Sequence, residues 1–157
     1  DLLQRLLAHP YFSKSAPKST GRETFGLAWL REQLAREARD IPAINVQATL
    51  AELTAVSVSD AVKQACEGAS GQMLVCGGGC YNTYLMARLQ CHLSDWHVCS
   101  TASKGIDPQW IEALAFAWLA RQMMSGLAGN LPAVTGAEGL RILGSYHPAA
   151  LGQNLMR

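Results

Sequence analysis

The chain of 157 residues is 49% hydrophobic and 16% charged, which suits one globular domain with a substantial core and excludes a disordered chain. Its net charge of +1, without a basic run, points away from nucleic acid as a partner. No apolar run reaches the roughly 20 residues that cross a bilayer, and Asp1-Leu2-Leu3-Gln4-Arg5 lacks a charged segment followed by a long apolar one, so neither a membrane partner nor a secretory leader is expected.

Residues 1–8 read as the end of a helix, with Leu2, Leu3, Leu6 and Leu7 apolar, and His9-Pro10 stops it. A chain that starts without Met and inside a helical pattern reads as a cut from a longer protein. Pro10 to Gly21 is a loop that sets Tyr11 and Phe12 beside Pro, and gathers Lys18, Ser19, Thr20, Gly21 and Arg22 in one run. Such a loop can offer hydroxyl and cationic donors to a ligand. It can equally be a solvated connection in which Thr20 caps the next helix, with Glu23 completing a capping box.

Phe25 to about Arg39 has the pattern of an amphipathic helix, and Ile41-Pro42-Ala43 breaks it. Asn45 to Cys66 reads as a long helix, weakened where Thr54 to Ser59 is β-branched and Ser-rich. Residues 67–71 form a turn. The compact apolar run 72–76 then reads as a buried strand and ends in Gly77, Gly78 and Gly79.

Three consecutive glycines leave a gap where side chains would otherwise pack. Either the turn needs positive φ and close strand–helix packing, or a ligand lies against bare backbone. A helix from about Asn82 to His92 follows, and N–H groups at its start would suit a phosphate or another polar group. The stretch matches neither the Walker loop nor the dinucleotide fingerprint. Trp96 to Ser100 reads as a second strand. Strand, helix and strand with short connections predict a right-handed parallel crossover, in which ligands gather at the carboxyl ends of the strands. The glycine turn is at such an end.

Asp107 and Pro108 mark a helix start, as N-cap and first helical residue. The helix runs to about Met124 and is apolar almost all round, which predicts a buried central helix. Glu112 is the exception. Its carboxylate needs a partner, water or a polar ligand, or it serves as a first-turn acid that favours the helix dipole. Gly126 to Gly139 is a Gly/Pro-punctuated loop, and Arg141 to Pro148 reads as a final short strand.

Five cysteines, at 66, 76, 80, 91 and 99, make an odd count without a secretory signal, which argues for reduced thiols in the cytoplasm. His92 and His97 lie among them, but no Cys-x-x-Cys or His-x-x-x-His pair frames a site. The cysteines therefore read as small buried hydrophobes, and no metal ligand is expected.

Several stretches together resemble the C-terminal half of the anhydro-N-acetylmuramic acid kinases, bacterial sugar kinases of cell-wall recycling. They are Pro10-Tyr11-Phe12, the run from Pro17 to Glu23, Val46 to Leu50 with Glu52 to Ala55, Val75 to Gly79 with Asn82, Glu112 to Ala120, and Asn130 to Ala137. They occur in the family's order and cover nearly the whole chain. The resemblance implies an α/β fold: the C-terminal domain, here residues 1–157, of an actin-like sugar-kinase ATPase, with a mixed sheet flanked by helices. The active site would lie in a cleft against an N-terminal domain of the same protein.

The activity it implies uses ATP and water to open the 1,6-anhydro ring and give N-acetylmuramic acid 6-phosphate. The catalytic aspartate and half of the phosphate site would belong to the N-terminal domain, so the chain alone is expected to be inactive. By the same resemblance Gly77, Gly78 and Gly79 would line the nucleotide cleft with Asn82 assisting, and Glu112 would bind the sugar. Lys18, Ser19, Thr20 and Arg22 match a family motif as a candidate cleft loop. Mg2+ would bridge the phosphates, and a homodimer is compatible with the pattern. The contrasting expectation is a non-catalytic nucleotide-binding or interaction module of the same fold.

Overall fold

The computed structural model describes residues 2–67 and 69–148. They divide into two compact units, one up to Glu112 and one from Ala113. In the first unit, helix α1 (Leu2–Leu7) is followed by a short α2 (Pro10–Ser13), then α3 (Leu27–Ala35), α4 (Ala43–Ala65), strand β1 (Gly71–Val75), α5 (Thr83–His92) and β2 (Trp96–Ser100). The expected α/β class holds. The sheet consists of β1 and β2 alone, paired parallel with Gly71 opposite Trp96 and Val75 opposite Ser100.

The core of this unit is Leu2, Leu6 and Leu53, with Phe12, Trp29, Leu34, Ile41 and Leu50 packed around it. Burying such side chains is worth about 1.5–3 kcal/mol each. Arg5 ties α1 to α3: its guanidinium donates to the Gln33 carbonyl at 3.1 Å and pairs with Glu37 at 2.8 Å. On the other side of α4, Leu89 and Leu93 are buried.

Several expectations are corrected. Pro10 ends α1 but opens α2 as its first residue, because proline's fixed φ suits a helix N-terminus; the His9 ring nitrogen accepts from Tyr11 N–H. No capping box forms at Thr20. The Glu23 carboxylate turns back to accept from Gly21 N–H at 2.9 Å, and α3 starts later, with Gly26 as N-cap. α4 is nonetheless continuous through Thr54–Ser59, with the Thr54 and Ser57 hydroxyls donating to the Leu50 and Thr54 carbonyls within the helix. The turn expected at 67–71 includes Gly68, which lies outside the described residues.

β1 is not a buried strand. Gly71, Gln72 and Leu74 are exposed, because among the described residues β2 is its only partner. The cysteines are not buried either: Cys76 and Cys91 are exposed, and Cys66, Cys80 and Cys99 are half-buried.

α6 (Ile111–Met124) begins in the first unit and continues in the second. It has no buried residue, and Leu114, Phe116 and Trp118 are each more than half exposed. An apolar helix need not be a covered one in a chain of this length. In the second unit α6 ends at Gly126, whose φ of +67° lets Leu127 N–H reach back to the Gln122 carbonyl at 2.9 Å. A short α7 (Pro132–Thr135) interrupts the expected loop. Asn130 staples that loop, donating to the Gly139 carbonyl at 3.0 Å and accepting from Arg141 N–H at 2.6 Å.

The final strand is absent: residues 141–148 have no strand partner among the described residues, and Gly144 sits at φ +99°, which breaks an extended run. Residues 149–157 of the domain expectation lie outside the described residues. No described helix is long and apolar enough to cross a membrane.

Candidate functional site

The glycine turn leaves the carboxyl end of β1. Gly77 has φ +71° and ψ −171°, a conformation that L side chains rarely adopt. Its N–H donates to the Pro108 carbonyl at 2.9 Å. Gly78 to Tyr81 then form one 3-10 turn, closed by Cys80 N–H to the Gly77 carbonyl and Asn82 N–H to the Gly79 carbonyl. The helix therefore does not start at the glycines. Asn82 is the N-cap of α5, and its side-chain oxygen accepts from Leu85 N–H at 3.0 Å.

The two explanations for the glycines now separate. A Cβ added at Gly77 or Gly78 would meet nothing within 4 Å, and one at Gly79 would make only ordinary contact with Leu85 at 3.7 Å. Close strand–helix packing does not account for them in this chain. Backbone conformation accounts for Gly77. Gly78 and Gly79 present exposed backbone whose lack of side chains serves no contact made here.

The Gly77–Pro108 bond brings the turn to the head of α6. Asp107 accepts from Gln109 N–H at 2.9 Å within a turn closed by Trp110 N–H to the Asp107 carbonyl, so α6 begins at Ile111 and not at the expected Asp107–Pro108 start; Pro108 is buried. Desolvation, then the nearby Asp107 carboxylate, push the Tyr81 hydroxyl above its usual range. Glu112 stands in the first turn of α6, exposed and without a side-chain hydrogen bond or ion pair among the described residues. Its carboxylate is thus available to a polar ligand, and it also suits the helix dipole.

Beside the turn lies a cavity of about 670 Å³ between the N-terminal halves of α4 and α5. Ile44, Gln47 and Ala51 form one wall, and Asn82, Tyr84 and Leu85 the other. Its apolar walls with amide and phenol groups at the edge suit a flat, polar-rimmed group.

The candidate cleft loop is placed differently. Lys18 donates to the Tyr11 and Phe12 carbonyls at 3.4 and 3.1 Å and lies over the Tyr11 ring. It holds its own loop. Thr20 borders a second cavity of about 330 Å³, walled by Tyr11, Phe12, Phe25 and Trp29. Ser19 and Arg22 have no side-chain partner among the described residues, and Ser19 is exposed. No hydrogen bond joins this loop to the glycine turn among the described residues. Leu50 and Thr54 of α4 line both cavities, so the loop and Asn82 flank the same stretch of one helix.

Sequence reasoning missed the polar fastening of α5. Glu52 of α4 accepts from Arg88 Nε at 2.6 Å and from a terminal Arg88 nitrogen at 2.9 Å, a forked pair, and lies 2.8 Å from His92 Nε2. The Glu52 side chain is 16% exposed. The Arg88 hydrogen bonds hold its carboxyl down to about 2; burial opposes them, and the His92 contact adds a lesser lowering effect. On its other side α5 is joined to β2 by Gln90, which donates to the Leu93 and Trp96 carbonyls and accepts from Val98 N–H at 3.0 Å. The available signal was that Glu52, Arg88 and His92 sit on helices otherwise packed together, which no local pattern reveals.

A family model described as anhydro-N-acetylmuramic acid kinase matches residues 1–149. The chain is 57% identical over 148 residues to an anhydro-N-acetylmuramic acid kinase of Thiobacillus denitrificans, covering 94% of this chain and 40% of that protein. It is 51% identical over 148 residues to one of Shewanella halifaxensis, covering 94% and 39%, and 50% identical over 147 residues to one of Pseudomonas fluorescens, covering 94% and 40%. The chain thus spans about 40% of the length of these curated relatives. A match over nearly the whole chain, at about half identity, means that it belongs to the anhydro-N-acetylmuramic acid kinase family.

Proposed function

We propose that this chain is the C-terminal domain of an ATP-dependent kinase of 1,6-anhydro-N-acetylmuramic acid, of the actin-like sugar-kinase architecture. The full-length protein hydrolyses the anhydro ring and phosphorylates the sugar to N-acetylmuramic acid 6-phosphate, in the cytoplasmic recycling of murein. The observation that carries this proposal is the glycine turn: among the described residues Gly78 exposes backbone with no close neighbour and Gly79 has only ordinary contact with Leu85, at the carboxyl end of a parallel strand where ligands bind in such sheets. The names of the relatives supply a kinase activity and its sugar, anhydro-N-acetylmuramic acid.

In this proposal Gly77 to Gly79 form one wall of the nucleotide cleft, with Asn82 beside them. The cavity at Asn82 and Tyr84 takes the flat base. Glu112 accepts hydrogen bonds from sugar hydroxyls. The Gly77–Pro108 bond ties the nucleotide wall to the turn that precedes Glu112, and positioning of this kind is most of what phosphoryl transfer asks of a protein. An aspartate of the N-terminal domain serves as the base that activates water. The Lys18–Arg22 loop shapes the cleft margin. Among the described residues no group of three or more His, Cys, Asp or Glu stands together; magnesium that bridges the ATP phosphates would need no such group, only one or two carboxylates and water.

Turnover separates the outcomes. The full-length protein should phosphorylate 1,6-anhydro-N-acetylmuramic acid with ATP, and the 157-residue chain alone should not. Turnover by the chain alone would contradict the division of labour. ATP binding by the full-length protein without any sugar turnover would favour a non-catalytic nucleotide-binding module.

A further inference from the structure

We infer that Glu52 is a positioning residue for the nucleotide wall: through its forked pair with Arg88 it fixes α5, the helix that the glycine turn leads into at its N-cap Asn82. The inference rests on the proposed nucleotide role of that turn. Glu52 lies on α4, in the stretch that borders the Asn82 cavity, since Leu50, Ala51 and Thr54 all line it. Arg88 and His92 lie on α5, whose N-cap is Asn82 and whose Leu85 side chain approaches Gly79. Glu52 therefore joins the two walls of one cavity at a point just below it.

Two features set this pair apart from an ordinary surface ion pair. Both Arg88 bonds are short and well directed, and the Glu52 side chain is largely withdrawn from water, where a forked arginine–carboxylate pair fixes orientation as well as distance. The same Glu52 oxygen that meets the terminal Arg88 nitrogen also meets His92 one turn further along α5, so rotation of α5 about its own axis would break one contact or the other. With Gln90 holding the opposite side to β2, α5 has little freedom to roll. Asn82 and Gly79 are thereby kept at a fixed height over the cavity floor.

The test uses the full-length protein with Glu52→Gln and Arg88→Lys. Glu52→Gln keeps the shape and removes the charge; Arg88→Lys keeps the charge and removes the fork. The Michaelis constant for ATP should rise about threefold to thirtyfold in Glu52→Gln, the span expected for coupling through a packed helix. It should rise less in Arg88→Lys, and the sugar's constant should stay within about twofold in both. Equal rises for ATP and sugar, or a lower melting temperature with both constants unchanged, would overturn the inference and leave a purely structural pair. If Glu52→Gln does not fold, Arg88→Lys decides between the same outcomes. Wild-type protein that neither binds nor uses ATP would instead remove the nucleotide proposal itself, a result separate from any effect of the two substitutions.

Discussion

Gly77 N–H and the Pro108 carbonyl are 2.9 Å apart, and this bond ties the end of β1 to the residue that starts the α6 turn. It works only because Gly77 is at φ +71°. Replacement by alanine should destabilise the protein by about 1–2 kcal/mol through backbone strain alone, since space for the methyl is open. Melting of Gly77→Ala measures this. A destabilisation below about 0.5 kcal/mol would mean that the turn relaxes without cost.

Asn82 has two roles that different substitutions separate. Its oxygen caps α5 by accepting from Leu85 N–H. Asn82→Ala should cost about 1 kcal/mol of stability, and Asn82→Asp, which keeps the acceptor, much less. If Asn82 also faces a nucleotide, Asp should still weaken ATP use, because it brings a negative charge towards phosphates. Calorimetry of the two variants beside their ATP constants gives both answers.

The Glu52 carboxyl, held at about 2 against an ordinary 4.5, makes stability depend on acid. A carboxyl lowered by folding stabilises the native state fully above its unfolded value. That contribution is lost as pH falls from about 4.5 through about 2. Allowing for solvent screening, it amounts to about 1–2 kcal/mol. Glu52→Gln should flatten the stability profile over that window and lower stability at neutral pH. A profile unchanged between wild type and variant would show that the pair contributes nothing net.

Glu112 is exposed and has no partner among the described residues. Glu112→Gln should therefore leave melting within about 0.5 kcal/mol of wild type, while weakening use of the sugar more than binding of ATP. Loss of stability without a change in sugar use would reduce Glu112 to a first-turn acid that favours the α6 dipole.

Much of this was legible from local pattern. β2 occupies the expected residues 96–100, and β1 differs from expectation by one residue at each end, because turn residues bracket both short apolar runs. Asn82 acts as a cap because a short polar side chain satisfies free N–H groups where a helix begins, whereas Asp107 accepts from Gln109 N–H in a turn that precedes α6. Where sequence reasoning failed, a nonlocal choice decided. Glu23 had two possible N–H partners and took Gly21. Apolar α6 and β1 were expected to be covered, yet residue type does not say whether the covering surface lies within the same 157 residues. Arg88 and Glu52 are 36 positions apart, and only the rotation of two packed helices brings them together. Of the candidate site, the turn and Glu112 were visible as breaks in pattern. The neighbouring cavity was not, since its walls are ordinary helix residues.

The central claim is that Gly78 and Gly79 serve a ligand and not the fold. Gly78 separates these most cleanly, because its φ is not in the left-handed region and an added Cβ meets nothing within 4 Å. The decisive measurement is ATP binding and melting of Gly78→Ala in the full-length protein. The account predicts unchanged melting, within about 0.5 kcal/mol, together with ATP affinity weakened by tenfold or more on the order expected for a methyl placed against a bound group. Unchanged ATP affinity with intact folding would contradict it.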